Sequence, residues 1–205
     1  MHQMDNSKTR DGFSLEALHA GDRAEFARVV DTYYEMVYRL AIRMLSNPQD
    51  AEDILQETFI KAYRKFHNFD GRSSVSTWLY RIATNEALMF LRRQHPEFTA
   101  IDDTYENDNG LEKPAHIVDW CCLPEEELMS AEAQAYLDEA VESLPPNLRV
   151  VFILRDIQGL STRETAEVLN LTEMAVKTRL SRARFKLREL LSKYYGEKVA
   201  EESKP

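Results

Sequence analysis

The sequence predicts an all-α protein of two small helical domains, each with its own core, joined by an acidic, flexible linker. Apolar residues recur at intervals of three and four instead of alternating, which is typical of amphipathic helices. Glycine and proline, which interrupt helices, are sparse, with six and seven residues in the whole chain. We expect domains over residues 13–95 and 131–195, a linker over 96–130, a disordered N-terminus over 1–12 and a tail over 196–205.

Three helices are predicted in the first domain, over residues 22–45, 47–66 and 76–93. Each begins at a residue whose side chain can accept hydrogen bonds from the free amides of the first turn, namely Asp22, Asn47 and Ser76. A polar loop over residues 68–75 joins the second helix to the third. Pro96 and the acidic stretch after it end the regular packing of this domain.

Four short helices are predicted in the second domain. A helical group begins near Pro124, and residues 144–146 (Leu-Pro-Pro) interrupt it, because proline lacks the amide that a helix interior needs. Helical spacing resumes at Leu148 and continues to Gly159, after which the last two helices follow.

The last two helices have the pattern of a helix-turn-helix that binds double-stranded DNA. Ser161 and Glu164 have the spacing of a capping box, and Asn170 stands where a tight turn needs a residue that tolerates a positive φ. Thr172 is placed to cap the second helix. An apolar stripe then recurs at helical spacing through Val176, Leu180, Ala183, Leu187 and Leu191. Lysines and arginines flank this stripe on both sides, which suits two rows of phosphates.

Four residues opposite the stripe can reach base edges in a major groove: Lys177, Thr178, Ser181 and Arg182. The alternative is a solvated basic helix on an ordinary helical bundle. The capping box, the turn and the stripe together favour the DNA-binding interpretation.

The second helix of the first domain carries a mixed apolar and charged face. Its buried stripe leaves Asp53, Gln56, Glu57, Ile60 and Arg64 together on the opposite side. Ile60 is either a tolerated surface residue or the apolar centre of a docking face whose acids select a basic partner. A nuclease-type metal cluster of Asp50, Glu52, Asp53 and Glu57 is disfavoured, because helix geometry spreads these carboxylates around the cylinder.

The loop and third helix of the first domain suggest binding to single-stranded nucleic acid. Trp78, Arg81, Asn85 and Arg92 share one helix face, and their side chains can stack on bases and bind phosphates. The preceding loop is short, polar and able to wrap an unstacked base. The alternative is that Trp78 belongs to the core and the arginines are solvated. Glu86 is predicted on the buried side without an identified partner.

Charge and cysteine content exclude several classes of protein. The net charge is -9, and between Gln94 and Gln134 eleven carboxylates accompany one lysine, so we expect the chain alone to bind naked DNA weakly. The only cysteines, Cys121 and Cys122, are adjacent, which predicts a reduced, cytoplasmic chain without a disulfide framework. With His116 and Asp119 they match no common zinc spacing. We therefore predict no catalytic residues, no metal, no cofactor and no membrane insertion.

Two blocks of this sequence resemble extracytoplasmic-function sigma factors of bacterial RNA polymerase. Residues 50–59 (Asp-Ala-Glu-Asp-Ile-Leu-Gln-Glu-Thr-Phe) and 69–85, from Phe-Asp to Trp-Leu-Tyr-Arg-Ile-Ala-Thr-Asn, look like region 2 of that family. Residues 144–188, which begin Leu-Pro-Pro-Asn-Leu-Arg, resemble region 4. The blocks stand in the family's order with the expected linker between them.

The resemblance implies three interfaces and three partners: core RNA polymerase, promoter DNA and an anti-sigma factor. The clamp helices of the largest polymerase subunit would bind Asp50, Asp53, Gln56, Glu57, Ile60 and Arg64. The melted −10 element would bind Asn68, Phe69, Asp70, Gly71, Arg72, Ser73, Ser74, Trp78, Arg81 and Asn85. The duplex −35 element would bind Ser161, Thr172, Lys177, Thr178, Arg179, Ser181, Arg182 and Arg184, while neighbouring helices would meet the polymerase flap.

Three features depart from the family's pattern. Asn170 replaces a small turn residue, Phe185 is an outward aromatic, and residues 120–122 (Trp-Cys-Cys) match no family motif. Two other functions remain open at this point. A self-sufficient helix-turn-helix regulator would need its own dimer interface, and a nuclease would need a converging metal site.

Overall fold

The computed structural model describes residues 9–94 and 131–202, and the regular structure of these residues is helical. Side chains are described up to residue 192, except for residues 131–134. The predicted all-α class and the two helical domains are confirmed. The predicted linker, with Cys121 and Cys122, lies outside the described residues.

The first domain is a bundle of three long helices with a short helix before them. Its elements are α1 (Leu15–His19), α2 (Arg23–Leu45), α3 (Pro48–Lys65), a 3₁₀ turn (Phe66–Asn68) and α4 (Val75–Gln94). Helices α2, α3 and α4 pack against one another around side chains that are fully buried, among them Val37, Leu40 and Leu79. The long helices follow the predicted apolar stripes, whereas α1 was not predicted.

The helix caps of the first domain are mostly those expected. The Asp22 side chain accepts hydrogen bonds from the amides of Ala24 and Glu25, and the Asn47 side chain caps α3 in the same way. The cap predicted for α4, Ser76, lies too late in the sequence. The helix begins at Val75, and the hydroxyl of Ser74, not of Ser76, accepts the hydrogen bond from the Thr77 amide at 3.1 Å.

The N-terminal prediction also needs correction. Residues 9–12 are ordered rather than disordered: Thr9 is buried, and its hydroxyl accepts a hydrogen bond from the Phe13 amide at 3.0 Å. A turn closes between the Gly12 amide and the Thr9 carbonyl at 3.0 Å. The side chain of Phe13 then anchors the segment, because its ring is 4% exposed.

The second domain contains α5 (Ala131–Glu142), α6 (Pro146–Phe152), a π-helical turn (Ile153–Ile157), α7 (Thr162–Leu169) and α8 (Glu173–Glu202). The prolines end α5 and start α6, as expected. Helix α8 is longer than predicted and continues through most of the expected tail.

The two domains do not have separate cores. Helix α4 packs on α7, α2 contacts α5 and α6, and the buried side chains of both domains form one continuous cluster. Arg149 of α6 is at the centre of this contact. It donates a hydrogen bond to the Met44 carbonyl of α2 at 2.6 Å and others to the Glu142 and Leu144 carbonyls. Burial lowers the pKa of Arg149. Its hydrogen bonds to the carbonyls replace contacts with water, and this explains why a cation is tolerated in an apolar interface.

Candidate functional site

The helix-turn-helix forms as the local sequence predicts. The Ser161 hydroxyl accepts a hydrogen bond from the Glu164 amide at 3.1 Å, and the Glu164 carboxylate accepts one from the Ser161 amide at 2.8 Å. The hydroxyl and then the amide of Ser161, acting on the Glu164 carboxylate, lower the pKa of Glu164. Asn170 ends α7 with a φ of 54°, and the Thr172 hydroxyl accepts from the Ala175 amide at 3.1 Å. Ser161 and Thr172 therefore cap the amino ends of α7 and α8.

Helix α8 presents a polar face opposite its buried stripe. Val176, Leu180, Ala183, Leu187 and Leu191 are all buried. Lys177 and Ser181 are exposed, and Thr178, Arg179 and Arg182 are half-buried. Two large apolar side chains lie exposed on the same helix, Met174 at 71% and Phe185 at 48%. The predicted base-reading residues thus lie together at the amino end of the second helix of the motif.

Arg184 has a structural partner that the sequence did not reveal. Its guanidinium makes two parallel hydrogen bonds to the Asp156 carboxylate, at 2.8 and 2.7 Å, and this contact raises the pKa of Arg184. Asp156 lies in the π-helical turn, 28 residues earlier. This pair holds α8 against the π-helical turn that follows α6, and an approaching phosphate would have to compete with it.

The predicted docking face lies on the surface of α3. Asp53, Gln56 and Arg64 are exposed, Asp50 and Glu57 are half-buried, and Ile60 is 44% exposed. Lys61 joins this face to α4, because its ammonium group lies 3.2 Å from the Glu57 carboxylate and 2.5 Å from that of Glu86. The bond to Glu86 is the main reason that the pKa of Lys61 is raised. Lys61 is the partner that Glu86 lacked in the sequence.

The end of the 3₁₀ turn and the loop before α4 expose three of the residues predicted to bind the melted strand. Asn68, Asp70 and Arg72 are exposed, and Gly71, Ser73 and Ser74 are half-buried. Gly71 has a φ of +71°, a conformation that side chains other than glycine rarely adopt. The Asp70 carboxylate bridges the turn, accepting from the Arg72 amide at 3.1 Å and pairing with its guanidinium at 3.0 Å.

Phe69 and Trp78 form the support of this loop rather than its surface. Phe69 was expected to contact DNA, but its ring is 3% exposed, so the ring cannot reach a base in this conformation. The ring centroids of Phe66, Phe69 and Trp78 lie 4.8 to 5.5 Å apart, in edge-to-face and tilted contacts. Trp78 is half-buried and keeps part of its indole accessible. Trp78 therefore contributes to the core, and its binding to a base stays a prediction.

Arg81 and Asn85 extend from the exposed face of α4, but Arg81 is engaged. Its guanidinium donates two hydrogen bonds to the Glu167 carbonyl of α7, at 2.8 and 3.1 Å. Next to it, the buried Tyr80 donates a hydrogen bond to the Gln158 side chain at 3.1 Å, and burial raises its pKa to about 12. The second domain therefore lies against the helix predicted to read the melted strand.

Acidic and sulfur-containing side chains do not converge into a metal site in the described parts of the chain. No helix in those parts is long and apolar enough to cross a membrane.

Two family models match the chain in order. The model described as Sigma-70 region 2 matches residues 29–97, and that described as Sigma-70, region 4, matches residues 134–187. The chain is 38% identical to the ECF RNA polymerase sigma factor SigW of Bacillus subtilis over 177 residues, which is 86% of this chain and 94% of that protein. This chain belongs to the extracytoplasmic-function sigma factors.

This sigma factor is also similar to other ECF sigma factors and to solved structures of sigma factors. It is 34% identical to the ECF RNA polymerase sigma-E factor of Haemophilus influenzae, over 83% of this chain and 89% of that protein. Among solved structures, the sigma factor RpoE in complex with the anti-sigma factor NepR from Bartonella quintana is similar with a TM-score of 0.58 and 25% identity. That match covers 82% of this chain and 97% of the other. A structure of CnrH in complex with the cytosolic domain of CnrY has the same fold, with a TM-score of 0.60.

Proposed function

We propose that this sigma factor binds core RNA polymerase and directs it to promoters, reading the −10 element with the first domain and the −35 element with the second. The observation that supports this most is the pairing of a docking face and a helix-turn-helix in one chain, within the two matched sigma-70 regions. The protein acts in the cytoplasm with its polymerase, as an initiation factor and not as an enzyme.

At the −35 element, helix α8 enters the major groove of duplex DNA. Lys177, Thr178, Ser181 and Arg182 contact base edges, while Arg179 and Arg184 bind the phosphates beside them. Ser161 and Thr172 direct the amino ends of α7 and α8 towards the DNA backbone. The flap of the polymerase contacts the remaining helices of this domain.

At the −10 element, the loop of residues 68–74 and the exposed face of α4 hold the melted strand. Arg81 and Asn85 bind phosphate and base groups, and the exposed part of the Trp78 indole stacks on a base. Asn68, Asp70, Arg72 and Ser73 bind around the flipped nucleotide, while Phe69 supports the loop from below. Positions Gly71 and Ser74 shape the loop itself.

On the polymerase side, the clamp helices of the largest subunit bind the α3 face. Ile60 provides the apolar contact, and Asp53 and Glu57 select a basic surface around it. Asp50, Gln56 and Arg64 lie at the rim of this face. An anti-sigma factor controls access to these surfaces, as the names of the similar solved complexes suggest.

Reconstituted transcription tests this function. Sigma-free core polymerase with this protein should initiate at discrete promoters of a fragmented genomic library, and core polymerase alone should not. If no promoter is used, the function is wrong. A shift of promoter DNA by the protein alone would favour a self-sufficient regulator, and cleavage that requires magnesium would favour a nuclease.

A further inference from the structure

The segment of residues 9–22, which we call the N-terminal brace, lies before the part of the chain that matches region 2. It is an ordered part of the first domain. Phe13 and Leu18 are buried at 4% and 3% exposure, and the ring centroids of Phe13 and Tyr33 lie 5.9 Å apart. The Ser14 amide also donates a hydrogen bond to the Glu25 carboxylate at 2.7 Å. The brace is therefore fixed to α2 at several points.

Asp11 connects this brace to the start of α4. One oxygen of its carboxylate accepts a hydrogen bond from the Tyr33 hydroxyl at 2.7 Å and another from the Ser76 amide at 3.1 Å. Burial, with the bond to Asp11, raises the pKa of Tyr33 far above its usual range, so the phenol remains a donor. Ser76 lies in the first turn of α4, where amides lack helical partners and a negative charge is favourable. Asp11 thus caps a helix that starts 64 residues later.

His19 and Leu15 of α1 hold the other end of the same loop. The Nε2 atom of His19 donates a hydrogen bond to the Phe69 carbonyl at 2.8 Å. A Leu15 methyl group lies 3.5 Å from the position that a Cβ of Gly71 would occupy. The loop is consequently held at Phe69, Gly71 and Ser76 by side chains from one short segment.

We propose that the N-terminal brace positions the loop of residues 69–74 and the first turn of α4 for capture of the melted promoter strand, with Asp11 and His19 as its positioning residues. Residues 69–74 lie between the 3₁₀ turn and α4 and belong to neither helix. A nucleotide can be bound there without an ordering cost only if other groups hold the loop in advance. This inference rests on the proposed promoter-melting role of the loop.

The test uses holoenzyme assembled from core polymerase and the full chain, on a promoter that the wild-type protein transcribes, with 2-aminopurine placed in its −10 element. Asp11→Ala should slow promoter opening about tenfold, the size expected when a charged capping bond is lost. Affinity for core polymerase and binding to duplex −35 DNA should remain at wild-type values. Asp11→Asn keeps an acceptor, so this variant should open the promoter at most of the wild-type rate. His19→Ala should slow opening, and His19→Gln, which keeps a donor, should restore it in part.

Asp31→Ala is the matched control, because Asp31 is an exposed aspartate of α2. It should open the promoter at the wild-type rate. The proposal is overturned if Asp11→Ala and His19→Ala open the promoter normally, or if they lose core binding and opening to the same extent, which would indicate general unfolding. If the wild-type protein supports no transcription at all, the proposed function fails instead, and the two failures are distinguishable.

Discussion

Individual side chains of the helix-turn-helix divide into those that build the motif and those that face outwards. Ser161 and Glu164 bond each other across the first turn of α7, while Lys177 and Ser181 have exposed side chains. Substitutions in the two groups should therefore have different consequences. The first group should affect folding, and the second should affect DNA binding.

Lys177→Ala should weaken binding of the holoenzyme to −35 duplex DNA about tenfold, because one cation in the groove is removed. Affinity for core polymerase should not change, since Lys177 lies neither on the docking face of α3 nor on the helices proposed to meet the flap. Arg182→Ala is expected to behave in the same way. Fluorescence anisotropy with labelled duplex and with labelled core enzyme measures the two affinities. Arg23→Ala, which removes an exposed cation from the first domain, is the control, and equal loss of both affinities would contradict this division.

Ser161→Ala should lower the free energy of unfolding by about 1 kcal/mol, because the amide of Glu164 loses its acceptor. The pKa of Glu164, which is lowered in the folded protein, should rise towards its ordinary value. A carboxylate with a lowered folded pKa stabilises the fold above its unfolded pKa and loses this effect as the pH falls through the folded pKa. The difference between wild type and variant should thus be largest near neutral pH and shrink in acid. Urea unfolding at several pH values measures it, and a difference that grows in acid would be inconsistent with this explanation.

At the scale of elements, α3 turns one face to the core and the opposite face outwards. Its buried residues follow the helical period predicted from sequence, so the outward group around Ile60 could be derived without a structure. The contacts of Lys61 could not, because its partner Glu86 lies on α4, 25 residues later. The same limit applies to Arg184 and Asp156. Local periodicity defines a helix face, but it contains no information about which side chain of another helix lies beside it.

Ile60→Ser should weaken the affinity for core polymerase at least tenfold, because an apolar side chain at the centre of the docking face would no longer be buried on binding. Stability should be little changed, since Ile60 is 44% exposed in the free protein. Tyr34→Ser is a matched control at 43% exposure on α2. Competition between labelled wild-type protein and each variant for core enzyme measures the effect. If the two variants bind core polymerase with equal affinity, Ile60 is not part of the docking face.

For the whole molecule, the contact between the domains determines which surfaces are available. Arg81, a proposed −10 residue, donates both of its hydrogen bonds to the Glu167 carbonyl, and Arg149 joins α6 to the end of α2. A melted strand that binds the Arg81 guanidinium has to compete with the Glu167 carbonyl of α7 for its donors. We therefore expect the domains to separate at this point when the first domain holds the melted strand.

Binding to core polymerase should increase the distance between the domains. A fluorescent donor and acceptor at Glu35→Cys of α2 and Glu189→Cys of α8, with Cys121 and Cys122 replaced by serine, report this distance. Energy transfer should be high in the free protein and should fall when core polymerase and promoter DNA are added, because Arg81 is released from α7. Transfer that stays unchanged in a complex active in transcription would show that the contact persists.

The sequence by itself determined the local features of this protein: the helices, most of their caps, the helix-turn-helix and the exposed faces of α3 and α8. These depend on residues within about one or two helical turns of each other, so spacing is sufficient to predict them. Only the tertiary structure showed that Phe69 is buried, that Arg81 lies on Glu167, and that Asp11 caps α4. Those contacts join residues far apart in the chain, and their partners are selected by the packing of whole helices, which no short pattern encodes.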